Sequence, residues 1–320
     1  MSKNISRRNF LKSTSLLGFA SILGIEKIFP KYFQRNKLVF NGNIPDLVAV
    51  KGEDIFNNTI KAINELGGMR KFVKNNSVVG LLINSDFDLP GAYVHPDISL
   101  AVLKMCHDAG AKEIWSLQNI KPEYWQRSSV YEEYKYLLEE LKILEFNQVP
   151  AEYEEKNWII YENKGKSVKE FELVKKIFEI DTLINIPIAK HHMTTFLTCC
   201  LKNMMGVNTR ASNVKFHLDG PSKNDPEFLA QSIVDLNKIR KSDLCVVDAT
   251  KFIVTNGPNG PGRIITKDTI VVGKDIVAVD SYCSNLLGYE VDEILTTKIA
   301  YQEGLGEIDL SKLTIKNIVK

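Results

Sequence analysis

Short β-branched apolar runs alternate along this chain with segments whose apolar positions recur every three to four residues. The runs fall at 47–50, 78–84, 113–117, 158–162, 182–187, 244–248 and 269–272. The helical patterns fall at 55–66, 96–109, 130–144, 194–205, 226–238, 277–287 and 291–303. Several strands, those at 78–84 and 269–272 among them, are apolar at nearly every position. Such strands are covered on both faces, the mark of a mainly parallel sheet between helices. The alternation of strand and helix argues the same. The expected fold is therefore α/β, a mainly parallel sheet covered by helices on both faces in a single large domain. The punctuation agrees: Gly110 and Gly206 follow helical patterns, and Pro96 suits a first helical turn. Residues 121–169 are the most polar and least regular stretch, and read as an excursion of helix and hairpin at the sheet's edge.

The first thirty residues break this pattern. Lys3, Arg7, Arg8 and Lys12 precede an apolar run from Leu16 to Ile25, and charge followed by grease is an export signal. The run is well short of the roughly 20 residues that span a bilayer. Ser6-Arg7-Arg8-Asn9-Phe10-Leu11-Lys12 resembles the twin-arginine consensus, a bacterial address. The organisation expected is a twin-arginine signal segment at 1–30, a linker at 31–44 and the α/β domain at 45–320. The resemblance implies the twin-arginine export machinery as a partner and export across the cytoplasmic membrane. The product would be periplasmic, or tethered to the membrane's outer face through residues 1–30 if no cleavage occurs.

The signal also changes the charge account. The chain carries 41 basic and 39 acidic residues. Residues 1–30 hold five basic residues and one acidic, so the body has 36 basic against 38 acidic. A mildly acidic body gives no electrostatic case for nucleic acid. The five cysteines include no CxxC pair, so no iron–sulfur cluster is expected from this chain alone. Four of them sit in apolar runs, where a thiol behaves as a small hydrophobe.

In an open parallel sheet, ligands bind beyond the carboxyl ends of the strands. The residues expected there are Asn84 with the segment to His95, Lys190-His191-His192, the loop 256–263, and Asp275 with Asp280. The run Asn185-Ile186-Pro187-Ile188-Ala189-Lys190-His191-His192, then Thr194, Thr195 and Thr198, then Leu201-Lys202-Asn203-Met204-Met205-Gly206 resembles the core signature of the domain of unknown function 362 (DUF 362) family. Arg210 with His217, Asp248, Gly257-Pro258 and Gly260-Pro261, Asp275, Asp280, Gly288 and Glu303-Gly304-Leu305-Gly306 extend the likeness in order over most of residues 45–310. The family often has a lysine near residue 82, where this chain reads Leu82-Ile83-Asn84, and a threonine where His191 stands. Many members also carry a ferredoxin-like cysteine module that this chain lacks. The resemblance implies fold and site position rather than a reaction.

Three chemistries follow from these residues. Lys190, His192, Lys202 and Asp280 are the candidate catalytic set for acid–base or redox work, with a buried Asp280 expected to pair with Lys190 or Lys202. Asn84, Thr194, Thr195, Thr198, Asn203, Arg210, Asn256, Gly257 and Gly260 are the candidate anion- or substrate-binding set. In that set Thr195, Thr198 and Lys202 share one face of an expected helix that starts at Thr194. His192, His217 and Asp248 are candidate ligands for a metal ion, since neutral imidazole binds transition metals. Cofactor identity stays open. The chain is an enzyme on one reading and a non-catalytic metal- or anion-binding accessory protein on the other.

Overall fold

The chain divides into two units, Met1–Asn43 and Ile44–Lys320. The computed structural model describes residues 44–144 and 157–320. The twin-arginine segment expected at 1–30, the linker expected at 31–44 as far as residue 43, and residues 145–156 of the polar stretch lie outside the described residues.

An eight-stranded sheet organises the second unit. Its strands are β1 (Leu47–Lys51), β2 (Val78–Ile83), β3 (Glu113–Ser116), β4 (Leu141–Ile143), β7 (Thr182–Ile186), β10 (Leu244–Ile253), β11 (Ile264–Gly273) and β12 (Ile315–Val319). Their spatial order is β12-β1-β11-β10-β7-β2-β3-β4. Every adjacent pair is parallel except the two that β11 makes with β1 and β10. The central strands are buried along their length, β7 at all five positions. That is why they read as unbroken apolar runs rather than as alternation.

The helices are α1 (Ile55–Glu65), α2 (Pro96–Ala109), α3 (Pro122–Gln126), α4 (Tyr131–Tyr134), α5 (Cys200–Asn203), α6 (Arg210–Leu218), α7 (Pro226–Ile239), α8 (Ile276–Leu287) and α9 (Leu295–Gln302). The first two pack on each other as one layer, while α5, α7, α8 and α9 pack together as another. The fold is a single α/β domain with a large, mainly parallel sheet and helices.

The differences from expectation have local causes. The strand at 269–272 was expected to be parallel. It is the second half of β11, which forms a long antiparallel hairpin with β10. Only about ten residues separate the two strands, too few for a crossover between parallel neighbours. The helix expected at 130–144 breaks into α4, a 3₁₀ turn at Lys135–Glu139 and the edge strand β4. The helix expected at 194–205 is instead a two-stranded hairpin, β8 (Lys190–His192) with β9 (Phe196–Thr198), followed by α5. Trp158–Glu162 (β5) pairs with Glu170–Val174 (β6) outside the main sheet.

Leu183 lies fully buried in the middle of β7. Leu183→Ala is expected to destabilise the domain by about 2–5 kcal/mol, seen as a lower denaturant midpoint with an unchanged slope.

Candidate functional site

Strands β2 and β7 are neighbours, and the chain leaves them in opposite directions, β2 toward β3 and β7 toward β10. A crevice opens at the carboxyl ends of such a pair. Here it is a cavity of about 480 Å³, within the range of small-molecule sites. Its wall includes Asn84 from the end of β2, Gln118 from beyond β3, Lys190 from β8, Thr198 from β9, Lys202 and Asn203 from α5, and Arg210 and His217 from α6.

Lys190 is 0% exposed. Its Nζ donates to the carbonyl of Ala92 and sits 3.9 Å from the centroid of the Phe87 ring. It forms no ion pair with any described residue. Burial, reinforced by Lys202 and opposed by Asp86, pushes its pKa down to about 7. Lys202 touches Met205 Sδ at 3.6 Å, and burial pushes it down to about 8. Asp86 borders the same cavity, and crowding by protein raises its carboxyl against the pull of Lys121 and Lys190. Arg210 adds an exposed guanidinium at the start of α6. Three cations thus face one acid across the cavity.

A relay of asparagines ties this wall to the core. Asn185 Nδ2 donates to the Cys200 carbonyl and Asn203 Nδ2 to the Leu82 carbonyl, and these obligate acceptors fix how both amides are turned. Asn203 also donates to Asn185 Oδ1 at 2.8 Å, and Asn84 Nδ2 donates to Asn203 Oδ1 at 3.3 Å. Asn84 Oδ1, Gln118 Oε1, Thr198 Oγ1 and Asn208 Oδ1 all belong to cavity residues and have no protein partner. Buried polar atoms are nearly always partnered, and four of the ten unpartnered side-chain atoms among the described residues border this one cavity.

Other sequence candidates hold structure around the cavity without lining it. His192 is buried, and its Nδ1 accepts the N–H groups of Thr194 and Thr195 at 3.2 Å. Backbone amides can only donate, so Nδ1 is unprotonated and the ring proton rests on Nε2. Burial and the surrounding cations Lys202 and Lys190 push its pKa down to about 2. Thr194 and Thr195 form the hairpin turn, and the Thr195 hydroxyl donates to the Leu197 carbonyl. They do not start a helix, and the expected shared face of Thr195, Thr198 and Lys202 does not exist. Phe196 holds φ at 59°, a strained conformation for a bulky residue. The loop between β10 and β11 is anchored by Gly257 N–H to His191 Nδ1 at 3.0 Å. A Cβ at Gly257 would sit 1.8 Å from the His191 carbonyl oxygen, so only glycine permits that approach. This brings Pro258 to the cavity wall. Asn256, whose Nδ2 donates to the Pro261 carbonyl, and Gly260 at φ 80° shape the loop and do not line the cavity.

The expected metal trio is not assembled. His217 borders the cavity with Nδ1 on Asn224 Oδ1 at 3.0 Å. His192 Nδ1 is taken by backbone amides. Asp248 accepts the N–H groups of His95 and Thr250 and the Thr250 hydroxyl, beside a second cavity that His95 also lines. Nor do Lys190 and Lys202 pair with Asp280. Because β11 runs antiparallel, Asp275 is delivered to the opposite rim, where it caps α8 through Val277 and Ala278. Asp280 then accepts the N–H groups of Cys200 and Leu201 at 2.8 and 3.1 Å. Burial pushes its carboxyl well above the usual range. Beside it lie Cys199 and Cys200; donor atoms of these three residues are within 4.8 Å of one another, a group that could hold a metal ion.

The sequence profile described as "Domain of unknown function (DUF362)" matches residues 79–285. The chain belongs to this family. Residues 79–285 hold the whole DUF362 cavity wall, from Asn84 through Lys190, Lys202 and His217 to Pro258. No curated protein sequence matches this DUF362 chain. Among solved structures, it is similar to a Thermotoga maritima protein at 10% identity and a TM-score of 0.45, over 79% of this chain and 60% of that one. It is also similar to the lactate racemase apoprotein from Thermoanaerobacterium thermosaccharolyticum at 14% identity and a TM-score of 0.39, over 64% of this chain and 52% of that one. The DUF362 chain thus spans less than two thirds of either structure's length.

Sequence reasoning missed Gln118, Asn208, Asn213 and Val214 in this wall, and it placed Asp86, Phe87 and Pro258 only within the rim segments, without a role. Among the missed residues only Gln118 carried a signal, being a polar residue just beyond a strand end. Asn203→Ala removes the middle of the relay. It is expected to cost about 1–3 kcal/mol for each partner left unsatisfied, measured as a fall in the urea midpoint.

Proposed function

We propose that the cavity binds a small anionic molecule, a carboxylate or a phosphate, and that Lys190 exchanges a proton with it. The observation that carries this reading is a fully buried lysine with no carboxylate partner in a cavity wall. Burying such a charge is unfavourable, and an anion that enters supplies the missing partner. Arg210 and Lys202 provide further charge, and a guanidinium suits the two-pronged oxygens of either anion. A lysine whose pKa lies at about 7 is divided between acid and base near neutrality, where general acid–base catalysis is most efficient. In the forward step the neutral amine takes a proton from the ligand, and the resulting ammonium faces the negative charge left behind. His192, held neutral, positions the hairpin that carries Lys190 by accepting the Thr194 and Thr195 N–H groups at Nδ1. The cysteine–aspartate group lies outside this step.

The test is a panel of small carboxylates and phosphates, followed by calorimetry and by NMR of solvent deuterium entering the ligand. Binding is expected to weaken as pH rises through about 7, because Lys190 then loses its charge. Lys190→Met is expected to lower exchange by about 10²–10⁴-fold while Arg210 and Lys202 still hold some ligand. Binding without exchange in the unaltered protein makes the chain a non-catalytic anion-binding accessory protein. No binding across the panel rejects both readings.

We also propose export by the twin-arginine route, supported by Arg7-Arg8 followed by Phe10 and Leu11. Replacing both arginines by lysine is expected to retain the protein in the cytoplasm, read by fractionation of bacterial cells.

A further inference from the structure

Four of the five cysteines gather at one point behind the cavity. Cys199 and Cys200 come from the start of α5, Cys245 from β10 and Cys283 from α8. All are 0% exposed. The sulfurs of Cys199 and Cys200 are 3.9 Å apart. Cys283 is a neighbour of Cys199, and Cys245 of Cys200. A thiol alone is an acceptable small hydrophobe; here several of them surround the carboxylate that caps the start of α5. Asp280, 2% exposed, stands in this group, and it has no ion pair with any described residue.

From this geometry we infer that Cys199, Cys200 and Asp280, completed by Cys283, form a closed site for one zinc ion. Thiolates and a carboxylate are zinc donors, and structural zinc takes four of them in a tetrahedron. With zinc–sulfur bonds of about 2.3 Å, neighbouring sulfurs stand about 3.8 Å apart, close to the Cys199–Cys200 spacing. The mutual approach of the Cys199, Cys200 and Asp280 donors within 4.8 Å gives three corners. Cys283, a neighbour of Cys199 that stands outside this group of three, supplies the fourth by turning its side chain toward them. Asp280 keeps its two backbone N–H donors, since each carboxylate oxygen has a second lone pair. Full burial makes the site structural rather than catalytic, because no position is left open to substrate. The ion staples α8 to the start of α5, the element that carries Lys202 and Asn203 to the cavity.

Elemental analysis of the full chain, grown and purified with zinc and without chelator, is expected to give one zinc per chain. Cobalt(II) added to metal-stripped protein is expected to produce the intense thiolate charge-transfer absorption and to raise the thermal midpoint. Both signals are expected to vanish in Cys199→Ser and Cys283→Ser and to survive in Cys106→Ser and Cys245→Ala. Unaltered protein that takes up neither zinc nor cobalt overturns the inference. So does a disulfide within the cluster, or metal retained by Cys283→Ser. Because the unaltered protein is itself titrated, a variant that fails to fold does not shield the idea. Loss of anion binding in the Lys190 variant is a separate readout, so the two proposals fail independently.

Discussion

A helix of four residues cannot hold itself in place, and α5 depends on one carboxylate to do so. Asp280 accepts two of the N–H groups at its start, which no intrahelical partner could satisfy. Asn237 accounts for the other end by donating to the Leu201 carbonyl at 2.9 Å. Lys202 and Asn203 reach the cavity only because this short segment is pinned between α8 and α7. The carboxylate therefore acts on the cavity from behind its wall.

The cavity follows from the same economy of elements. Parallel strands β2 and β7 diverge in their onward connections, and the gap at their ends is closed by irregular pieces, namely a hairpin, a short helix and a loop. Each piece is held by a backbone group meeting a side chain: Gly257 on His191, Thr194 and Thr195 on His192, and Cys200 on Asn185. Residues whose polar atoms are spent in this way support the site. Lys190, Lys202 and Arg210 stand at its surface instead. The division separates the two histidines of the Lys190-His191-His192 run from the lysine beside them.

Most of the sheet was legible because buried parallel strands announce themselves as apolar runs. The place of the cavity was legible in part, since Asn84 and Lys190 follow strand ends, whereas Lys202 was reached through a helix face that does not exist. The role of Asp280 was not. Its position depends on the direction of β11, and an apolar run carries no arrow. The absence of any helical pattern between β10 and β11 was the available clue, because a short connection forces a hairpin. The hairpin of β8 and β9 was hidden because Thr194-Thr195-Phe196-Leu197-Thr198 reads equally as helix or strand. The gathering of four cysteines was invisible for a different reason. Metal motifs are recognised by local spacing, and these thiols come from three separate elements.

The isolation of Lys190 ties occupancy of the cavity to the solvent's protons. In the empty site, near neutral pH, the amine is only partly charged. A negative ligand shifts it toward the ammonium, so each binding event draws a fraction of a proton from the surroundings. The heat of association then includes the ionisation heat of whichever buffer gives that proton up. Measured at one pH in two buffers of different ionisation heat, neither a phosphate nor a carboxylate, the same ligand would return two different enthalpies.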